Sequence, residues 1–381
     1  LVMVPLPASF RVLPWAPKTG WMLCDVYFTN GEEIPFSTRQ IFKNVLGDLA
    51  DEGFDYLAGL EVECHIYKLE DPKLAPEDAG QPAEPPEVSL LAHGFHYLTE
   101  QRMDEYDPIL EIVRGHLLKL GLPLRTFEVE FGPSQIEMTF KPALGLEAAD
   151  NMMLFRSAVK QICKRNGYHA TFMCRPGLKN AFSSGWHLHQ SLIDKKTGAN
   201  AFMPASDDQL LSEVGMQYAA GILAHSAAAC VFTTPTINGY KRYAPNSLAP
   251  DRAVWGRDNK GAMLRVIGAG ADDPATHLEN RVGEPAANPY LYMASQVLSG
   301  LDGMHAKMTP PAPSDDPYHA DAAPLPANLM EALAALAKNQ MFRDRLGDTF
   351  VDYILALKGA EVDRFFSAVT DWEHKEYFEM Y

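Results

Sequence analysis

The chain has 381 residues, 47% hydrophobic and 22% charged, which suits a globular protein with a sizeable core and room for one large domain or two to three ordinary ones. A formal net charge of −16 argues against nucleic acid as a partner, because phosphate binding draws on clustered Lys and Arg. No run of 18 or more apolar residues occurs, so neither a membrane span nor a membrane partner is expected, and five cysteines without a CxxC pair indicate neither a disulfide framework nor a zinc site.

The opening "LVMVPLPASF" lacks a basic region and a cleavage motif, so no signal peptide is expected and a cytoplasmic location fits. It also lacks an initiator Met and starts in mid-pattern, which implies preceding residues. Residues 21–37 alternate around Asn30-Gly31 and read as a hairpin. Helical spacing follows over 38–53, and "AGLEVECHIY" (59–68) alternates as a strand. Five prolines make 70–88 a loop, and a helix is expected over 107–120. Strands "RTFEVEF" and "QIEMTF" flank Gly132-Pro133-Ser134, helices are expected over 146–166 and 206–230, and 168–194, 261–268 and 276–282 read as strands. A second proline-rich loop covers 309–326, and 327–381 reads as helical. Without regular βαβ alternation, this order predicts an α+β fold with a mostly antiparallel sheet.

Residues i and i+2 of a strand share a face. On that rule five strands each carry a polar face: Glu61, Glu63 and His65; Glu128 and Glu130; Gln135, Glu137 and Thr139; His187, His189 and Ser191; His277, Glu279 and Arg281. The opposite faces are apolar, with Phe127, Val129 and Phe131 in one strand and Trp186, Leu188 and Leu192 in another. Any one such face also suits a sheet side turned to solvent. Together they hold Glu and His with almost no Lys. If they converge, the carboxylates repel one another unless cations neutralise them. Glutamate oxygens with an occasional imidazole suit Mg²⁺ or Mn²⁺, and paired divalent ions serve phosphoryl transfer. His65 and Cys64 are read as structural.

"GLEVECHIY", "EFGPSQIE", "SSGWHLHQSL", "NGYKRYAPNSLAPDRAVWGRDNKGAMLR" and "LENRVGEPAANPYL", in this order, resemble the catalytic domain of glutamine synthetases and the γ-glutamyl-amine ligases. The resemblance implies one catalytic domain over 1–381, of the glutamine synthetase/guanido kinase type, with a curved antiparallel sheet forming an active-site funnel among helices. The small N-terminal β-grasp domain usual in the family is missing ahead of residue 1, and the resemblance also implies a homo-oligomer, a stacked-ring dodecamer. The substrates it implies are ATP, glutamate and an amine, with two or three Mg²⁺ or Mn²⁺ ions as cofactors. One ion falls to Glu63, Glu130 and Glu137, with Glu128 as a substitute for Glu130, and the other to Glu61, His187 and Glu279. Arg242 matches the arginine that holds the substrate α-carboxylate, and Arg265 and Arg281 match catalytic arginines at the phosphoryl group and substrate carboxylate. His189 and Ser191 match ATP contacts, as does Lys260, which stands where an arginine is usual.

Three positions depart from glutamine synthetases. Leu248 stands where a flap glutamate helps bind ammonium, Phe182-Ser183 replace an Asn-Gly beside the substrate, and His277 replaces an arginine. The expected function is therefore ATP-dependent ligation of glutamate, through a γ-glutamyl phosphate, to an amine other than ammonium, aromatic or alkyl and aniline-like. A γ-glutamyl-polyamine synthetase and a catalytically silent scaffold relative are the alternatives.

Overall fold

A computed structural model describes residues 1–244, 247–268 and 270–381. Two small two-stranded sheets come first: β1 (Val2–Pro5) pairs with β4 (Cys24–Tyr27), and β2 (Arg11–Val12) with β3 (Gly20–Trp21). The Asn30-Gly31 turn forms, but it closes on an isolated bridge between Tyr27 and Glu33. Pro35 in the returning arm lacks the N–H a second strand would need, and β4 pairs with β1 instead. Helix α1 (Thr38–Asp51) leads into β5 (Phe54–Asp71), an 18-residue strand much longer than the alternation of 59–68.

Next come β6 (Glu87–Ser89), α2 (Glu100–Lys119), β7 (Leu124–Val129), β8 (Gln135–Phe140) and β9 (Ala143–Leu144). They are followed by α3 (Leu146–Arg165), β10 (Tyr168–Thr171), β11 (Trp186–Asp194) and α4 (Glu213–Thr233). Helix α2 starts well before residue 107 and contains Pro108, which the sequence invites one to read as a helix start. Residues 206–212 are not helical. Ser212 caps α4, its hydroxyl accepting from the Gly215 N–H (3.0 Å), so the helix begins at Glu213. The chain then forms β12 (Trp255–Arg257), β13 (Leu264–Ile267), β14 (His277–Asn280) and α5 (Pro289–His305). It ends in α6 (Leu329–Lys338), α7 (Gln340–Leu346), α8 (Asp348–Ser367) and α9 (Asp371–Tyr377). Helix α4 is long and apolar enough to cross a membrane, but it is mostly buried against α5 and α6, as a core helix is.

The main sheet runs β12-β13-β14-β11-β5-β8-β7, with β6, β9 and β10 also on β5; every pair is antiparallel except β12–β13. Its apolar face, including Leu60, Val62, Cys64, Ile66, Ile136, Met138, Trp186 and Leu188, is buried in the core formed with α1, α3 and α5. Burying each large apolar side chain contributes about 1.5–3 kcal/mol. A one-residue slip of β5 would turn Glu61 and Glu63 into that layer, so the core fixes which face the carboxylates occupy.

Candidate active site

The ladders bring the acidic and imidazole residues together in rows. Glu61 on central β5 stands opposite His187 of β11 and Thr139 of β8. Glu63 faces Glu137, which on its other side faces Glu128. His189 faces Glu279, which in turn faces Arg265. The two neighbouring glutamates of β5 are thus the meeting point of three strands.

A cavity of about 890 Å³ opens over this face. Lining it are Glu61, Glu63, Glu130, Glu137 and His187 from the expected cation set, together with Arg242, Arg281, Phe182, Ser183, Leu248 and Lys260. Four candidates are not part of the lining. Glu279 lies wholly buried behind it, its two carboxylate oxygens taken by Arg281 and Arg265, the latter at 3.0 Å. Arg265 also binds Asp258 through Nε (2.9 Å). His189 reaches Glu61, and Ser191, two residues further along the same face, is buried. Glu130 lines the cavity and Glu128 does not.

Electrostatics follow from crowding. Burial, then Glu130, pushes Glu63 up to about 8; burial, then Glu61 and Glu63, pushes Glu137 up to about 10. Burial likewise raises Glu130, whose Oε2 accepts the Phe131 N–H at 3.0 Å. Burial would also raise Glu61, but its two histidines outweigh it and hold this carboxyl well below the usual range. Burial, with Arg281, pushes His187 down to about 4, so at neutral pH this ring is uncharged. What keeps Glu61 ionised on that side is the hydrogen bond to His187 Nδ1 at 2.6 Å rather than an ion pair. Arg242 Nη2 lies 3.1 Å from His187 Nε2 and must donate, which leaves the His187 proton on Nδ1, facing Glu61. Arg242 is fixed further by the Arg281 carbonyl (2.7 Å), and Arg281 donates to the carbonyls of Lys260 (2.8 Å) and Leu248 (3.3 Å).

The donor set fits divalent cations. Ligand atoms of Glu61, Glu137 and His187 lie within 4.8 Å of one another, as do those of Glu61, His189 and Glu279. Hard carboxylate oxygens predominate, and their mutual repulsion is what cations would relieve. This grouping differs from the sets implied by the resemblance: His189 joins Glu61 and Glu279, while one oxygen of Glu63, Oε2, accepts from the Gly185 N–H (3.0 Å) and the Gln135 amide (3.1 Å) and Oε1 lies 3.7 Å from His187 Nε2.

The family model "Glutamine synthetase, catalytic domain" matches residues 35–377. The chain belongs to the glutamine synthetase family. Membership makes it an ATP-dependent ligase by family. The chain is 50% identical to a γ-glutamylanilide synthase of Acinetobacter sp, covering 100% of this chain and 79% of that protein. It is 30% identical to a glutamine synthetase of Methanococcus voltae, over 99% of this chain and 83% of that one. A solved structure of GmaS without ligand superposes with a TM-score of 0.84 at 28% identity, covering 99% of this chain and 85% of that one.

Against this family background, two of the departures noted in the sequence lie in the cavity. Leu248, 59% exposed at a φ of +59°, and Phe182 line it. The third, His277, stands 2.9 Å from His189 Nδ1, behind the lining. The sequence reading missed Phe95 and Tyr97, which also line the cavity from a segment given no element. It also put Phe131 on the apolar face of its strand, opposite Glu130. Strand β7 ends at Val129, the turn passes through Ser134 at a φ of +58°, and Phe131 emerges 41% exposed on the cavity side.

Proposed function

We propose that this chain joins an aromatic amine to the γ-carboxyl of glutamate at the expense of ATP. The reading is carried by an apolar Leu248 and Phe182 in the same cavity as the acidic residues, in a chain half identical to a γ-glutamylanilide synthase. Glu61, Glu63, Glu130, Glu137, His187 and Glu279 would hold two or three Mg²⁺ or Mn²⁺ ions, which when bound supply neutralisation of phosphate oxygens. Arg242 binds the α-carboxylate of glutamate and orients its γ-carboxylate toward ATP, whose contacts are His189, Ser191 and Lys260. A γ-carboxylate oxygen displaces ADP from the terminal phosphorus, giving an acyl phosphate, while Arg265 and Arg281 offset the charge that develops. The amine nitrogen then attacks the acyl carbon, phosphate departs with the C–O electron pair, and the nitrogen passes a proton to water.

Aniline arrives uncharged at neutral pH and needs no carboxylate to attract it, so a leucine at position 248 is tolerated where ammonium would require an acid. Phe182 and Ser183 lie beside the substrate. The working protein, in this reading, is a cytoplasmic homo-oligomer, a stacked-ring dodecamer, in which 1–381 is one catalytic domain.

The test is phosphate release by full-length protein with Mg²⁺, ATP, glutamate and a panel of amines. Aniline outperforming ammonium by about a hundredfold in kcat/KM is expected. Ammonium performing best would overturn the amine assignment.

A further inference from the structure

Three phenyl rings from three separate segments meet at one wall of the cavity. Phe95, Phe131 and Phe182 have centroids 5.5, 5.8 and 5.0 Å apart, and their planes cross pairwise at 89°, 76° and 82°. Three planes at near right angles make a corner. Each ring is between 40% and 49% exposed, and all three line the cavity. Large apolar surface left uncovered inside a polar cleft marks a place where a ligand covers it.

The backbone holds the corner rigid. A Cβ on Gly94 would meet Gly132 and Pro133 backbone atoms at 2.7 and 2.5 Å, so the segment bearing Phe95 lies against the turn bearing Phe131. The Phe95 N–H donates to the Phe131 carbonyl at 2.8 Å, and Phe95 itself is held at a φ of +71°, a conformation costly for a bulky residue. On the other side, a Cβ on Gly132 would sit 3.0 Å from Phe182 Cβ. The Gln135 amide then bonds the Ser183 carbonyl (3.3 Å), the Ser184 hydroxyl (3.0 Å) and Glu63. Strain kept at a preformed concave surface is expected where a ligand docks.

We infer that Phe95, Phe131 and Phe182 form the subsite for the ring of an aromatic amine and so decide amine selectivity; this rests on the ligase reading of the same cavity. A flat ring entering the corner meets one phenyl face to face in an offset stack and the others at their edges, the two arrangements aromatic pairs favour. An alkyl amine fills the corner poorly, and ammonium leaves it uncovered.

Full-length Phe131→Ala and Phe182→Ala, with Phe182→Leu as the milder change, are compared with the unaltered protein using aniline and methylamine in the phosphate-release assay. Calorimetric binding of aniline is measured alongside. The expected result is a fall of about tenfold or more in kcat/KM for aniline with a clearly smaller loss for methylamine, and weakened aniline binding. Equal losses for both amines, or unchanged aniline binding in Phe182→Leu, would overturn the assignment of the corner while leaving the ligase reading intact. Unaltered protein inactive with aniline and active with ammonium would overturn both.

Discussion

Glu63 and Glu137 stand directly opposite each other across the ladder between β5 and β8, a position where like charges destabilise a sheet. Their carboxyls are pushed up to about 8 and about 10, so in the metal-free fold they stay protonated at pH 7, where the unfolded chain has them ionised. For such raised groups stability is fully present below the unfolded value and is lost as pH rises toward the folded value. Without divalent ions, Tm should therefore fall from about pH 5 through about pH 8, where Glu63 ionises, to about pH 10, where Glu137 does. Saturating Mn²⁺ or Mg²⁺ should flatten that fall, adding about 2.7 kcal/mol at a hundredfold excess over Kd. Thermal melts at several pH values, with chelator or metal, check this; identical pH profiles in both would count against a cation site.

Gly185 leaves no room for a side chain. A Cβ there would lie 2.5 Å from Arg242 Nη2 and 3.0 Å from His187 Nε2. Gly185→Ala should shift both groups by a fraction of an ångström to an ångström, a displacement that costs on the order of a hundredfold in rate. We expect kcat/KM for glutamate to drop by about that factor while the melting temperature changes little. Steady-state kinetics beside a thermal melt separates this from simple misfolding.

Glu279 is fully buried between two guanidinium groups, those of Arg265 and Arg281. Burial would raise its carboxyl, but Arg281 together with His187 and His189 outweighs burial and holds it below the usual range. Glu279→Gln keeps the shape and removes the charge, leaving the buried Arg281 guanidinium without its carboxylate and Arg265 with Asp258 alone. Breaking one side of a buried ion pair costs about 3–5 kcal/mol, and urea unfolding of this variant in chelator should register a loss of that order. A loss appearing only when metal is present would assign the residue a different role.

The acidic faces were legible in the sequence because a strand period of two is strict: alternation alone put Glu61 with Glu63, His187 with His189 and Glu279 with His277 on one side of each strand. Their partners could not, since register between strands far apart in sequence leaves no local trace, and the opposition of Glu63 to Glu137 emerges only from pairing. Phe131 shows the limit of alternation. The pattern continues past the end of β7, but the backbone turns away and the ring expected on the apolar face with Phe127 and Val129 reaches the cavity. Helix α2 starts ahead of the expected residue 107 and runs through Pro108, while α4 starts after the expected residue 206 because the Ser212 hydroxyl caps it at the Gly215 N–H. Phe95 carried no signal, its backbone conformation being set by contact with Phe131 rather than by its neighbours in sequence.

The side-chain amide of Gln135 reaches Glu63 as well as Ser183 and Ser184, while its carbonyl accepts the Gly132 N–H at 2.9 Å. The hydrophobic corner and the acidic floor therefore share one fastener. Re-tailoring the chain for bulkier nitrogen nucleophiles by loosening either loop will be felt at Glu63, so breadth of acceptance and turnover are mechanically linked.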